Sequence, residues 1–570
     1  MTKPSFTRSI RAAGLCSLLL ASPAVLSLQG CTDLDETPLS AVTPEQFFRT
    51  QEEVLGGLAA VYSSLRPTLW GYYNLSEISS DEMIVPTRGG DWYDNRRWLE
   101  IHYQDWSPSS PSVLEDVNGT WNDMFTGIAR ANVLLQVLPT APLANRNEVV
   151  AEVRALRAFY YYILMDLFGG VPIVEDTEIM PRPRNTRAEV FQFIERELLA
   201  AQADLPTQWS PDIVVGRMTK GAADAILASL YINAAVFGRD QGVSPNSYNS
   251  CQQVTQVQFP GAANACDAAI RVTDRILTYG YTLSADYHAN FRHDNHTSRE
   301  NIFVVKNLNQ ADLGFEMIYR SLHYNSGAGG GWNGFSTLAE TYYAFDTLRV
   351  DTIRLTRRSL TGPFQDELRI LRSRDTRHNI FLHGVHFNLD TGDTVRFRNS
   401  TTPLTFSPHF PNGETAAGEG DGVRILKWPP DPARAGSHHS NDFAYFRLAE
   451  IYLIRAEAYN ALGQDGPALA AANMVRQRVL PAKPIVGVSG EALRNAILRE
   501  RHMELAGEAK RRQDLIRFGR FTQPWTAKCA PPSPGLPASP GLCNDARTIL
   551  FPISQTQMDA NPLLVQNPGY

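Results

Sequence analysis

The sequence predicts a mainly α fold: antiparallel helix pairs stacked into a tetratricopeptide-like scaffold, with long irregular loops and a few short β-hairpins between them. Two observations predict it. Apolar residues recur at helical spacing in one segment after another of similar length. Glycine and proline punctuate those segments, and the stretches between them collect aromatic residues without a helical period. The tetratricopeptide consensus itself is not visible, so the stacking rests on the succession of helix pairs.

The first helix is signalled by Thr43-Pro44-Glu45-Gln46, which reads as an N-cap, a proline at the first helical position and a capping-box glutamine. It should run to about Leu65, with Phe47, Val54, Leu58, Val61 and Leu65 on one face. Further helices are expected over 118–138, 148–168, 186–204 and 219–237. Gly169-Gly170-Val171-Pro172 stops the second of these, because glycine closes a helix in a left-handed conformation and proline cannot continue it. Ala222, Ala225 and Ser229 let a neighbouring helix approach the last one closely. A helix over 267–277 leads into an extended Ile302-Phe303-Val304-Val305. From 357 to 440 the chain reads as irregular except for one hairpin, in at Val385 and Phe387, around Asp390-Thr391-Gly392, and out at Val395 and Phe397. Helices return over 445–462, 467–478 and 490–518.

The amino terminus carries an export signal. Lys3, Arg8 and Arg11 precede the uncharged run Ala12 to Leu28, which Pro23 breaks and which is short for a spanning helix. Leu28-Gln29-Gly30-Cys31 resembles a bacterial lipobox, so Cys31 is the expected lipidation site, and two or three acyl chains would make a lasting anchor. Residues 1–30 are then the signal peptide, 31–240 an N-terminal helical region and 241–570 a C-terminal region, the last two forming one globular unit.

With 570 residues and 43% hydrophobic content the chain can bury a large core. A net charge of -6 and a pI near 6.1 leave no basic field for nucleic acid. Once Cys16 leaves with the signal and Cys31 goes to lipid, Cys251, Cys266, Cys529 and Cys543 remain as two near pairs, which suits disulfides in an oxidising compartment. A four-cysteine metal site is the rival, but none of the spacings is C-x2-4-C.

Two loop segments concentrate candidate ligand chemistry. Between Arg66 and Trp106 lie Trp70, Tyr72, Tyr73, Trp92, Tyr93, Trp98 and Trp106 among Arg88, Asp91, Asn95, Arg96 and Arg97, and the glycine loop Asn325 to Phe335 presents Trp332 and Asn333. A ring covers the apolar C–H face of a pyranose while amides and guanidinium groups take its hydroxyls, and peptides use similar surfaces. The bland alternative for any one ring is an anchor packed beneath a loop. Catalytic motifs are missing: there is no His-Glu-x-x-His, Gly-x-Ser-x-Gly, Walker loop or dinucleotide fingerprint, so no catalytic residue and no cofactor are expected. His293-Asp294-Asn295-His296 and His438-His439 lack a third metal ligand nearby. Glu500, Glu504, Glu508, Arg511, Arg512 and Asp514, spaced at three and four, read as ion pairs fixing neighbouring helices.

The carboxy-terminal third resembles the SusD/RagB-like family of outer-membrane nutrient-binding lipoproteins. Leu550-Phe551-Pro552-Ile553-Ser554 through Gln566-Asn567-Pro568-Gly569-Tyr570 is similar to that family's closing signature. Arg447-Leu448-Ala449-Glu450 through Glu457-Ala458 resembles its R-x-A-E-x-x-L-x-x-A-E-A helix, followed by Glu500-Arg501-x-x-Glu504-Leu505 and Arg511-x-x-Asp514-Leu515. Phe168-Gly169-Gly170-Val171-Pro172 and Gly216-Arg217-Met218-Thr219-Lys220 extend the resemblance into the N-terminal half. The resemblance implies a lipid-anchored protein facing the cell exterior as a lid on a TonB-dependent, SusC-like barrel. It would deliver an oligosaccharide, or in some branches a peptide, without breaking a bond; a secreted glycan-active enzyme is the remaining alternative. The resemblance places Gly89-Gly90-Asp91-Trp92, Trp98 and the loop with Trp332 at the border of the site; with the chemistry of their neighbours, the expected ligand residues are Trp92, Tyr93, Asn95, Arg96, Trp98, Trp332 and Asn333. The segment 357–440 and the Cys529 to Cys543 loop depart from the family pattern.

Overall fold

Helices form where the sequence supplies both a cap and an apolar stripe. The first, α1 (Gln51–Ser63), starts at Thr50, whose hydroxyl accepts from the Glu53 N–H while the Glu53 carboxylate accepts from the Thr50 N–H. The cap expected at Thr43 and the signal with Cys31 lie outside the described residues. The computed structural model describes residues 48–209, 215–238, 251–345, 375–525, 527–529 and 542–570, with backbone alone at 347–349 and 371–373.

The stretch expected to be irregular between Arg66 and Trp106 contains two short helices, α2 (Gly71–Glu77) and α3 (Arg97–Tyr103), both almost entirely buried. They were illegible because burial on all sides leaves no polar face to mark a period. Next come α4 (Asn118–Val137), α5 (Arg146–Phe168), α6 (Arg187–Ala201), α7 (Lys220–Ile232) and α8 (Ala265–Thr278), each within a few residues of its expected place. Thr186 builds a capping box with Glu189, and Thr219 and Asn264 cap α7 and α8. Helix α5 is buried nearly all round from Val149 to Phe168 and serves as the central post.

The C-terminal half opens with β1 (Asn301–Val305), which pairs antiparallel with β2 (Phe443–Arg447). Residues 445–447, expected to begin a helix, are therefore strand, and α9 (Leu448–Ala461) follows directly. Two more helices are α10 (Asp465–Val479) and α11 (Gly490–Leu505). The single helix expected over 490–518 breaks at Gly507 (φ 76°) and Ala509 (φ 60°), and α12 (Arg511–Arg517) restarts beyond. Neighbours in space follow the chain: α4 on α5, α5 on α6, α6 on α7, α7 on α8, α8 on α9, α9 on α10 and α11. That succession is the mainly α, tetratricopeptide-like stack. From Phe48 to Tyr570 the chain is one unit. Both expected disulfides, Cys251–Cys266 and Cys529–Cys543, are formed. Among the described residues no helix is long and apolar enough to cross a membrane.

The expected hairpin is present and grows into a meander over 384–407. Val385 pairs with Thr405, Phe387 with Thr394 and Arg396 with Pro403, around a small core of Val395, Leu404 and Phe406. The rest of the described segment from 375 to 440 is a 3-10 helix over Thr376–Ile380, short strands and turns.

Candidate ligand-binding face

The two aromatic loops meet on one face. Trp70 lies 6.5 Å from Trp332 between ring centroids, and Trp92 lies 6.4 Å from Trp332. The Trp92 indole N–H donates to the Trp332 carbonyl at 2.7 Å, tying together residues 240 positions apart. Trp70 (37% exposed) and Trp332 (38%) both present ring surface to solvent, and Tyr93 (56%) does so most of all.

Beneath them sits Trp98, 1% exposed, edge-on to Trp70 at 6.0 Å, to Trp92 at 5.4 Å and to Phe335 at 5.9 Å. It is placed there because α3 begins at Arg97 and turns its first aromatic inward. Trp98 therefore supports the surface rings, and Trp70, on the same face, is the ring that sequence spacing did not single out.

Residues 92–96 make a strained turn. Trp92 (φ 62°), Asp94 (36°), Asn95 (55°) and Arg96 (70°) are all left-handed, a conformation that costs non-glycine residues about 1–2 kcal/mol each. The surroundings hold it. The Trp98 indole N–H donates to Asp94 at 2.7 Å, and Arg96 pairs with Asp105 at 2.6 Å. Such strain concentrates at ligand clamps, and here it turns Tyr93 and Asn95 outward.

Asn333 is buried at 0% exposure, with its Oδ1 accepting from Arg424 Nη2 at 2.7 Å and Nε at 3.2 Å. Its carbonyl accepts from Arg88 Nε at 2.8 Å. Arg88 and Arg424 are themselves buried side by side and donate to Ser336 and to the carbonyls of Gly418, Glu419, Asp421 and Gly422. Burial pushes both guanidinium groups down, Arg88 to about 10, and the positive charge of Arg88 adds to the effect on Arg424. This pair locks the glycine loop to the turn at 418–422.

The glycine loop is braced from the other side by the meander. Asp390 accepts from the Ala328 N–H at 2.8 Å and pairs with Arg434 at 2.7 Å, and the Leu389 N–H donates to Ser326 at 2.7 Å. Gly327 is left-handed (φ 72°), and a β-carbon there would strike Asn388 and Asp390.

A polar ridge leads away from the rings. The Tyr324 hydroxyl donates to Asp91, next to Trp92, and Arg398 lies 4.8 Å over the Tyr324 ring. Arg398 also pairs with Glu419 at 2.5 Å and Asp91 at 3.4 Å. Burial and then the bond to Asp91 push the Tyr324 hydroxyl up to about 12, so it stays a donor at neutral pH. Burial pulls His323 down toward the neutral imidazole. Among the described residues no group of His, Cys, Asp and Glu could hold a metal ion.

A profile described as the SusD family matches residues 299–570, and a second, described as starch-binding and associating with outer membrane, matches 59–232. The chain belongs to the SusD/RagB-like family. Among SusD relatives, the starch-binding protein SusD of Bacteroides thetaiotaomicron is 24% identical over 528 residues, covering 87% of this chain and 85% of that protein. A SusD-like protein of Bacteroides ovatus is 23% identical over 529 residues, covering 88% and 82%. A solved SusD-like protein from Bacteroides fragilis superposes with a TM-score of 0.69 at 22% identity, covering 94% of this chain and all of that one. Surface glycan-binding protein A from Bacteroides thetaiotaomicron, solved with laminarihexaose, gives 0.64 at 19% identity, covering 91% and 99%. These likenesses establish the SusD fold, a helical scaffold presenting loops.

Proposed function

We propose that this SusD-family chain is a cell-surface lipoprotein that binds an oligosaccharide and hands it to a TonB-dependent outer-membrane barrel without cleaving it. The observation that carries the reading is the solvent-facing group of Trp70, Trp92 and Trp332, whose centroids lie within 6.5 Å in a chain of neighbours. Rings at that spacing offer stacking faces to consecutive sugars, and Tyr93, Asn95 and Arg96 border them with hydrogen-bonding groups. Trp98 and Asn333 serve the same site from beneath. The starch-binding and laminarihexaose-bound relatives support a saccharide as the ligand class. The lipobox at Cys31 supports the tether.

Trp92→Ala and Trp332→Ala are each expected to weaken saccharide binding by about 1–3 kcal/mol, as for aromatic anchors that a bound ligand covers. Titration calorimetry against starch- and laminarin-derived oligosaccharides, with a peptide library beside them, checks this; binding of peptides alone would replace the saccharide reading. Gly334→Ala should act like the loss of Trp92, because a β-carbon there falls on the Trp92 ring. It should also cost about 1–3 kcal/mol of stability through overpacking, read as a lowered thermal midpoint. Palmitate labelling of the wild type and of Cys31→Ala tests the anchor, and an unlabelled wild type found in the soluble fraction would refute it.

A further inference from the structure

The meander over 384–407 carries an open groove that the ring cluster does not use. Asn325, Asn388, Asp393, Arg396, Phe397 and Arg398 line it, around a volume of about 620 Å³. It adjoins the ring face through the ridge already described: Asn325 follows Tyr324 in the chain, and Arg398 stacks on Tyr324 and reaches Asp91, the neighbour of Trp92. The Asn388 side chain donates to the Asn325 carbonyl at 3.1 Å, so the groove wall and the loop bearing Trp332 are one piece.

The charges in the groove are unequally spent. Arg398 is already matched by Glu419 and Asp91. Arg396 and Asp393 are exposed, and among the described residues neither forms an ion pair. Arg396 donates only to the Thr401 carbonyl, and Asp393 accepts from the Thr391 hydroxyl at 2.7 Å and, through its carbonyl, from the Asn388 N–H. One free cation and one free anion, with two amides and a half-buried phenyl ring, leave no net field for a charged ligand. They do offer donors and acceptors to hydroxyl groups and an apolar face to C–H bonds. An anionic unit would meet Asp393, Asp91 and Glu419, and a cationic one Arg396 and Arg398.

We infer that this groove is a second saccharide subsite, which takes neutral sugar units of the same chain that stacks on Trp92 and Trp332, with Arg396 and Asp393 as its hydrogen-bonding poles. The inference rests on the reading of the ring face as a saccharide site and adds that ligand length is sensed. A chain spanning both places gains by making its second contact intramolecular.

The test titrates the mature protein with disaccharides and hexasaccharides of the laminarin and starch series, and with a sulfated hexasaccharide. Wild type is expected to favour the neutral hexasaccharide of one series over its disaccharide. The double variant Arg396→Ala/Asp393→Ala should lose about tenfold on the hexasaccharide and nothing on the disaccharide. Trp332→Ala should weaken both. Wild-type affinity of the double variant for the hexasaccharide overturns the subsite, as does an equal loss at both lengths or tighter binding of the sulfated chain. If Trp332→Ala changes neither length, the ring-face reading falls instead, and a wild type that binds no saccharide overturns both.

Discussion

Replacing Arg447 with methionine is expected to cost about 3–5 kcal/mol of folding stability, because it leaves buried carboxylates without their cation. Arg447 ends β2 with no exposed side-chain surface and binds Glu300 at 2.6 Å, Glu504 at 3.1 Å and Glu508 at 2.7 Å. The same carboxylates are shared. Arg478 of α10 reaches Glu300 and Glu504, Arg377 reaches Asp375, Glu500 and Glu504, and Lys427 reaches Glu508. Segments from Glu300 to Glu508 are therefore held by one dry network, in which removing a single cation leaves several buried anions under-compensated. Arg447→Lys should recover only part of the loss, since an ammonium cannot grip Glu508 with two parallel bonds as the guanidinium does. Denaturant unfolding of the three proteins measures this, and a loss under about 1 kcal/mol for the methionine variant would refute the closed network.

The same network fixes one limb of the pH profile. Burial alone would raise Glu504, but Arg478, Arg447 and Arg377 overcome it and bring its carboxyl down to about 2. A depressed carboxyl contributes fully above its ordinary value of 4.5, and that contribution is lost as pH falls through about 2. Asp116 and Asp224 run the other way. Burial raises them to about 6 and about 7 against the partial opposition of Arg97 and Arg275, and burial likewise raises Glu77 and Glu82. Raised carboxyls contribute fully below their ordinary value and lose that contribution as pH climbs through the folded one. Between about pH 5 and about pH 8 these carboxyls therefore lose their contribution as pH rises. His102, His383 and His439, pulled down by burial to about 4, and His502, to about 3, contribute fully only above their ordinary 6.5 and so change stability the opposite way. Asp224→Asn removes one raised carboxyl, so relative to wild type its thermal midpoint should fall at about pH 5 compared with about pH 8, and an unchanged pH profile in that variant would contradict the burial of Asp224.

Much of this was readable from the chain because it is local. Caps, apolar stripes and glycine stops act over a few residues, so α4 to α8 fall close to where their spacing puts them. Glu500, Glu504 and Glu508 were legible as ion-pair residues for the same reason, though their partners were not. What escaped was set by distant contacts. Whether Trp70 or Trp98 faces solvent depends on Trp332 and Phe335, more than two hundred residues away. The paired guanidinium groups of Arg88 and Arg424 carry no local signature, because carbonyl oxygens of remote turns take the place of carboxylates.

Asn333 is where the two views divide, and three substitutions separate them. Asn333→Ala should cost about 1.5–3 kcal/mol for the hydrogen bonds withdrawn from a charged, buried guanidinium. The left-handed backbone (φ 50°), which asparagine tolerates and alanine does not, should add about 1 kcal/mol. Asn333→Gly accepts that backbone and loses only the amide, so it should sit between alanine and wild type. Asn333→Asp keeps an acceptor at Oδ1 and places a negative charge beside Arg424 and Arg88, which offsets the lost donation from Nδ2 to the Glu419 carbonyl at 3.3 Å, so its unfolding midpoint should stay close to that of wild type. If the aspartate variant also binds saccharide normally, while alanine and glycine lose stability and affinity together, the amide works by holding the Trp332 loop. Loss of affinity in the fully stable aspartate variant would instead put the amide in direct contact with the ligand.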